Sequence, residues 1–257
     1  MNVETLELAP LLARRELWLL ISAAYVDPFH RERFQTIMDP AFRERTVNAA
    51  ALLRQEQPKA DLGPGEMSPQ DLYPEKLFTA LDSEFESIES TYRRLFGVTG
   101  GSTICPSSEV EYEPNTELVF RCQRFADVAG FYRAFGVQVA NQAGERMDHI
   151  TSETEFLYLL LAKQVDARET GNGEGYEVSR DAYREFFQQH VGWWVPAFSR
   201  LLFRMAPPGF YRELATLTAA VSAHERVSLG IPQFKVPAVP KPSDDACVEC
   251  MGSQGAC

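Results

Sequence analysis

Cations are in short supply in this sequence: 25 Lys and Arg stand against 36 Asp and Glu, a formal net charge of −11. Such a surface repels phosphate backbones, which argues against nucleic-acid binding and suits a partner with a basic segment. Cysteines number five, an odd count that does not make a closed disulfide framework, and they read as reduced thiols of a reducing compartment. Strand-type alternation and internal repeats are missing. So are the nucleophile elbow, the dinucleotide fingerprint and the protein-kinase set. Gly97-Val98-Thr99-Gly100-Gly101 follows a helical pattern rather than a strand, and the glycine-rich run Glu169 to Gly175 lacks the Gly-Lys-Ser/Thr ending of a phosphate loop. The apolar run Leu17 to Ala24 behind Arg14-Arg15 imitates an export signal. It falls short of the about 20 residues that cross a bilayer, Glu4 and Glu7 lie upstream, Glu16 interrupts the transition, and no small-residue cleavage site precedes Asp27. Leu12, Leu19, Ala23 and Val26 share one helical face, so the run reads as a core helix and no stable membrane insertion is expected.

What is present is helical periodicity. Helices are expected over Pro10 to Val26, Phe29 to Met38, Pro40 to Gln55 and, after a loop from Pro58 to Ser68, Pro69 to Phe96 with Gly97 as C-cap. Gly100 to Pro114 is irregular. Leu118, Cys122, Phe125, Ala129 and Tyr132 then form a buried stripe that ends near Gly136. Asp148 is the expected N-cap of a helix with Ile150, Leu157 and Leu161 inward. A flexible loop, Glu169 to Gly175, leads to Tyr183, Phe187, Val191, Trp194, Phe198, Leu201 and Met205 at helical spacing, with Pro196 either starting a helix or kinking one. A last helix covers Pro208 to Ser222. With 45% hydrophobic and 24% charged residues the chain can build a core without metals or disulfides. The reading is all-α: one globular domain over residues 1–230, then an extended proline-rich tail, 231–257, carrying a cysteine cluster.

Two clusters could carry chemistry. Glu145, Asp148, His149 and Glu153 gather carboxylates around an imidazole, and His149 and Glu153 fall four residues apart on one helical side. Such a group can bind a metal or move a proton, but with no second metal-binding His or Glu-x-x-His motif the spacing alone favours an N-capping Asp, a partly exposed His and solvated glutamates. Cys247, Cys250 and Cys257 could bite a metal ion, exchange sulfur or form labile disulfides, though no fourth ligand is evident nearby. Cys122 reads as core and Cys105 stays undecided. The acidic run Asp82, Glu84, Glu86 and Glu89 reads as a solvated helix face, and Trp193 and Trp194 as packing residues.

Taken together, four segments resemble the TorD/DmsD/NarJ family of redox-enzyme maturation chaperones. They are Arg15-Glu16-Leu17-Trp18-Leu19-Leu20; Tyr92 to Phe96 followed by Cys105-Pro106-Ser107-Ser108-Glu109-Val110; Glu145-Arg146-Met147-Asp148-His149-Ile150 continuing through Glu153; and His190-Val191-Gly192-Trp193-Trp194-Val195-Pro196-Ala197-Phe198. More narrowly, the chain resembles the branch serving ethylbenzene-, dimethylsulfide-, selenate- and chlorate-processing molybdenum enzymes. Met147 stands where the family's signature has proline, no aromatic follows Pro106, and the cysteine tail lies outside the family pattern.

The resemblance implies a cytoplasmic chaperone, not an enzyme, that binds the twin-arginine signal and the apo catalytic subunit of a molybdopterin enzyme and restrains export until the cofactor is inserted. It assigns signal-peptide or client binding to Glu145, Asp148, His149, Glu153, Pro106 and Glu109. It implies no required cofactor, transient contact with the molybdopterin cofactor or a guanine nucleotide, and a monomer or helix-exchanged homodimer. The competing reading is a helical metal-binding or redox protein using the His149 carboxylate cluster or Cys247, Cys250 and Cys257.

Overall fold

A computed structural model describes residues 3–29, 31–55, 61–97, 103–115, 117–138, 146–235 and 237. In chain order these form α1 (Val3–Ala24), α2 (Arg31–Phe34) with a 3-10 turn (Gln35–Met38), α3 (Pro40–Gln55), a 3-10 turn (Pro69–Asp71) and α4 (Pro74–Phe96). A further 3-10 turn (Glu109–Glu111) precedes α5 (Leu118–Ala134), α6 (Ile150–Glu169), α7 (Gly173–Phe186), a π-helical turn (Phe187–Val191), α8 (Val195–Met205) and α9 (Phe210–Ser228). Among the described residues there is no strand, in keeping with the all-α reading.

α1 is the central post. It packs against α6, α3 and α9, and Leu17, Trp18, Leu20 and Ile21 are fully buried. A helix apolar on nearly every side belongs inside a protein. The run that imitates an export signal is thus core, although Leu12 and Leu19 are half-buried and the deepest face is turned from the expected one. α1 also continues upstream of Pro10, which lies within the helix. Around the post runs a buried polar chain. Trp18 Nε1 donates to Tyr183 Oη at 2.7 Å, Tyr183 donates to Glu225 at 2.7 Å, and Arg14 donates to the same carboxylate at 2.6 to 3.0 Å. These contacts bolt α1 to α7 and α9. Burial alone would raise the Glu225 pKa, but the Arg14 guanidinium and His224 hold it down at about 2.

Several boundaries differ from the expectations, each for a local reason. Pro69 begins a separate short turn capped by Ser68, and Pro74 starts α4, where its missing N–H costs no helical bond. Gly97 does cap α4, with extended backbone; a Cβ there would lie 2.3 Å from the Arg93 carbonyl oxygen. The expected flexible loop at 169–175 is a tight turn: Gly171 adopts φ +70°, and the Asn172 side chain accepts from Gly175 N at 2.9 Å to cap α7. Pro196 starts α8 rather than kinking a longer helix. α9 runs past Ser222 because His224, Glu225 and Arg226 point inward, Arg226 pairing with Glu66.

The expected stripe on α5 needs the largest correction. Arg121, Val128 and Tyr132 are its buried residues, Cys122, Phe125 and Ala129 are half-buried, and Leu118 is 45% exposed. α5 packs less deeply than its apolar content suggests, and its first turn stands in solvent.

Candidate functional site

The loop after α4 is pinned to the start of α6. Ser108 and His149 form an isolated antiparallel bridge, with Glu109 N donating to Asp148 O and Ile150 N to Ser107 O, both at 2.8 Å. Ser108 and Glu111 complete a reciprocal capping box that fixes the short turn between them. His149 caps α6: its Nδ1 accepts from Thr151 N at 3.3 Å, while Nε2 lies 2.9 Å from Ser107 Oγ. The expectation of Asp148 as N-cap is therefore corrected by one residue. The bridge turns the Asp148 carboxylate the other way, to Val110 N at 3.2 Å and the Arg146 guanidinium at 2.9 and 3.0 Å.

Beneath this bridge lie two buried carboxyls, each held by one of the paired tryptophans. Trp193 Nε1 donates to Glu109 at 2.8 Å and Trp194 Nε1 donates to Glu153 at 3.0 Å. Consecutive tryptophans can reach different partners because the π-helical turn precedes them and α8 starts immediately after. That turn also brings His190 Nδ1 to 3.1 Å from Glu109, and Arg124 of α5 donates to Glu109 at 3.1 Å and Glu113 at 2.8 Å. The Arg124 guanidinium stacks 4.7 Å from the Trp193 ring centre. Tyr112 packs 5.2 Å from Trp194 and donates its hydroxyl to Pro106 O at 2.8 Å.

The electrostatics follow from burial. Desolvation raises the Glu109 carboxyl above its ordinary value, opposed by His190, Arg124 and Trp193. Desolvation pushes Glu153 well above its ordinary value, reinforced by the charges of Glu109 and Asp148 and eased by Trp194. The Glu109 charge acts directly on Glu153, so this interior holds a proton more readily than two negative charges. Burial likewise pushes the Cys105 thiol up to about 12, which suits a core residue and not a nucleophile at neutral pH.

Beside the network opens a cleft of about 510 Å³. One wall is a face of α5, Phe120, Gln123, Arg124 and Asp127; the other is Gln189 and His190 of the π-helical turn, with Glu113 between them.

The structure thus gathers Pro106, Glu109, Asp148, His149 and Glu153 around one bridge. It does so with Glu109, Asp148 and Glu153 fully buried and hydrogen-bonded, where sequence spacing suggested side chains on an open face. Glu145, Cys247, Cys250 and Cys257 lie outside the described residues. Arg124, Glu113, Asp127 and His190 complete the region without having been singled out as site residues. His190 stands in the late motif, and Ser108-x-x-Glu111 is a readable capping box, but the α5 residues were hidden by the misplaced stripe.

A family model described as nitrate reductase delta subunit matches residues 72–200, which take in α4 through most of α8 and the whole network above. The chain is 30% identical over 118 residues to a selenate reductase assembly chaperone protein of Thauera selenatis, covering 46% of this chain and 58% of the relative. It is 37% identical over 117 residues to a perchlorate reductase assembly chaperone protein of Dechloromonas aromatica (strain RCB), covering 45% and 50%, and 28% identical to a chlorate reductase assembly chaperone protein of Ideonella dechloratans, covering 46% and 58%. The matches therefore span between half and three-fifths of the relatives' length.

Proposed function

Because the chain belongs to the nitrate reductase delta subunit family, we propose that it is the dedicated assembly chaperone of a molybdenum-containing reductase of the oxyanion-reducing kind. In this reading it works in the cytoplasm as a binding protein without turnover. It holds the apo catalytic subunit and its twin-arginine signal, keeps the subunit open for insertion of the molybdopterin cofactor, and releases it for export. The cofactor is cargo met transiently, as a guanine nucleotide would be. The protomer acts alone or as a helix-exchanged pair.

The observation that carries the reading is the match to three reductase assembly chaperones, together with the family match at 72–200, the region that holds the bridge and the twin-tryptophan network. The acidic chain suits a basic signal region. No helix among the described residues is long and apolar enough to cross a membrane. The metal or redox alternative gains no support from the described residues. His149 turns its ring nitrogens to Ser107 and the start of α6, while Glu153 turns to Trp194, so the two do not converge on an open ligand position.

Deleting the gene tests the reading. The cognate reductase subunit should still be made but lack molybdenum and activity, with both restored by the full chain. A fully active, metal-replete reductase in the deletion strain contradicts it.

A further inference from the structure

One run of this acidic chain holds no acid. Between Glu185 and Glu213 there is no Asp or Glu, and Arg200, Arg204 and Arg212 fall inside the run, in a chain of net charge −11. The run includes α8, the corner after it and the start of α9. Helix α8 buries Phe198 and Leu202, so Arg200, Phe203 and Arg204, at intervals of three and four, take its outer face. Phe203 and Met205 are 37% and 45% exposed, and Pro207 and Pro208 after them are exposed too. Among the described residues none of the three arginines takes part in an ion pair, and Glu213, which closes the run, is half-buried.

The helices do not themselves call for this gathering of cations. Arg204 suits the last turn of α8, but Arg212 stands in the first turn of α9, the end at which a cation is disfavoured. The corner holds it there: its guanidinium donates to Ala206 O at 2.6 and 3.2 Å and lies 5.4 Å from the Phe203 ring centre. The backbone of the corner is largely satisfied from within. Ala206 N donates to Leu202 O at 2.8 Å, and Gly209 O accepts from Arg212 N and Glu213 N at 3.1 and 3.0 Å. Pro207 and Pro208 have no N–H to leave unpaired. A solvated contact with an acidic protein segment does not demand this economy. A lipid interface does, because an unpaired backbone donor is costly in a low dielectric.

We infer that the corner between α8 and α9 docks on an anionic lipid surface. Arg200 and Arg204 meet headgroup phosphates, which suit the planar guanidinium fork. Phe203, Met205 and the two prolines settle at the boundary between headgroups and acyl chains, a contact within the interface and not a span. The corner stands at the far end of α8 from Trp194, about 16 Å by helical rise, and is distinct from the buried network. Charges beyond about 10 Å are screened in about 0.1 M salt, so acids elsewhere on the molecule do not cancel it.

Co-sedimentation of the full chain with phosphatidylcholine vesicles, with and without about one-third phosphatidylglycerol, tests this. Binding is expected only with phosphatidylglycerol, falling about tenfold as sodium chloride rises from about 0.1 to about 0.5 M. Arg200→Glu with Arg204→Glu should weaken it about tenfold, and Phe203→Ser with Met205→Ser about fivefold. Lys163→Glu with Arg180→Glu makes the same charge change at exposed positions of α6 and α7 and should stay within about twofold of wild type. Far-ultraviolet circular dichroism checks that each variant is folded. The assignment is overturned by absence of binding to the anionic vesicles, by equal binding to phosphatidylcholine alone, by unchanged binding in the Arg200/Arg204 variant, or by equal losses in the two charge-reversed pairs. It is also overturned if a decaglutamate peptide binds through Arg200 and Arg204 while the vesicles do not; the corner would then take an acidic protein segment. None of these outcomes bears on the chaperone reading, since the vesicle contact involves no client.

Discussion

Each tryptophan of the Trp193-Trp194 pair donates its indole N–H to a buried carboxyl. A carboxyl whose folded pKa is raised stabilises the fold fully below its unfolded value, near 4.5, and that stability is lost as pH rises through the folded value. Glu153 is such a group. Glu153→Gln keeps an oxygen to accept from Trp194 and removes the titration, so urea midpoints measured at pH 5 and pH 8 should lie closer together than in the wild type. An equal or larger gap in the variant removes Glu153 as the source. Glu225 has the opposite sign: held at about 2, its contribution is present above the unfolded value and fades as pH falls toward 2. Arg14→Ala leaves that carboxylate buried without its guanidinium, and a loss of about 3–5 kcal/mol is expected from urea unfolding at pH 7. These roles were partly legible. The residues of the Glu145–Glu153 motif could be read as a group, since they are adjacent in sequence. Their burial could not, because it depends on Trp193 and Trp194 arriving from the turn before α8 and Arg124 from α5.

Among the elements, the π-helical turn and the segment after α9 work together. Gly192 follows the turn, and a Cβ there would lie 2.5 Å from the Phe234 ring and 2.9 Å from Phe187. Ile231 is buried and Gln233 Nε2 donates to Asp61 O, so residues 231–235 lie along the domain close to the twin tryptophans. Gly192→Ala should cost about 1–3 kcal/mol by overpacking, and adding Phe234→Ala should return part of that loss. Differential scanning calorimetry of the two variants checks this; additive losses would show that Phe234 is not the obstacle. Helix identity was readable wherever apolar spacing and punctuation agreed, as in α3, whose bounds coincide with those expected. It was misread on α5, where apolar residues serve an exposed turn as well as the core. It was also misread at 169–175, where glycines sit in a capped turn and a helix start rather than a slack loop.

At the scale of the whole molecule, a central apolar helix is ringed by others, and the polar network lies to one side under the loop–α6 bridge. The all-α class followed from periodicity, and the family from four separated motifs, three of which lie within the region matched at 72–200. Neither source places the client. Affinity purification of the tagged full chain from cells expressing its reductase, with mass identification and metal analysis, addresses that directly. The account predicts recovery of the catalytic-subunit precursor, signal still attached and molybdenum well below one atom per chain. Recovery of no reductase precursor, or of the mature metal-loaded enzyme alone, would contradict it.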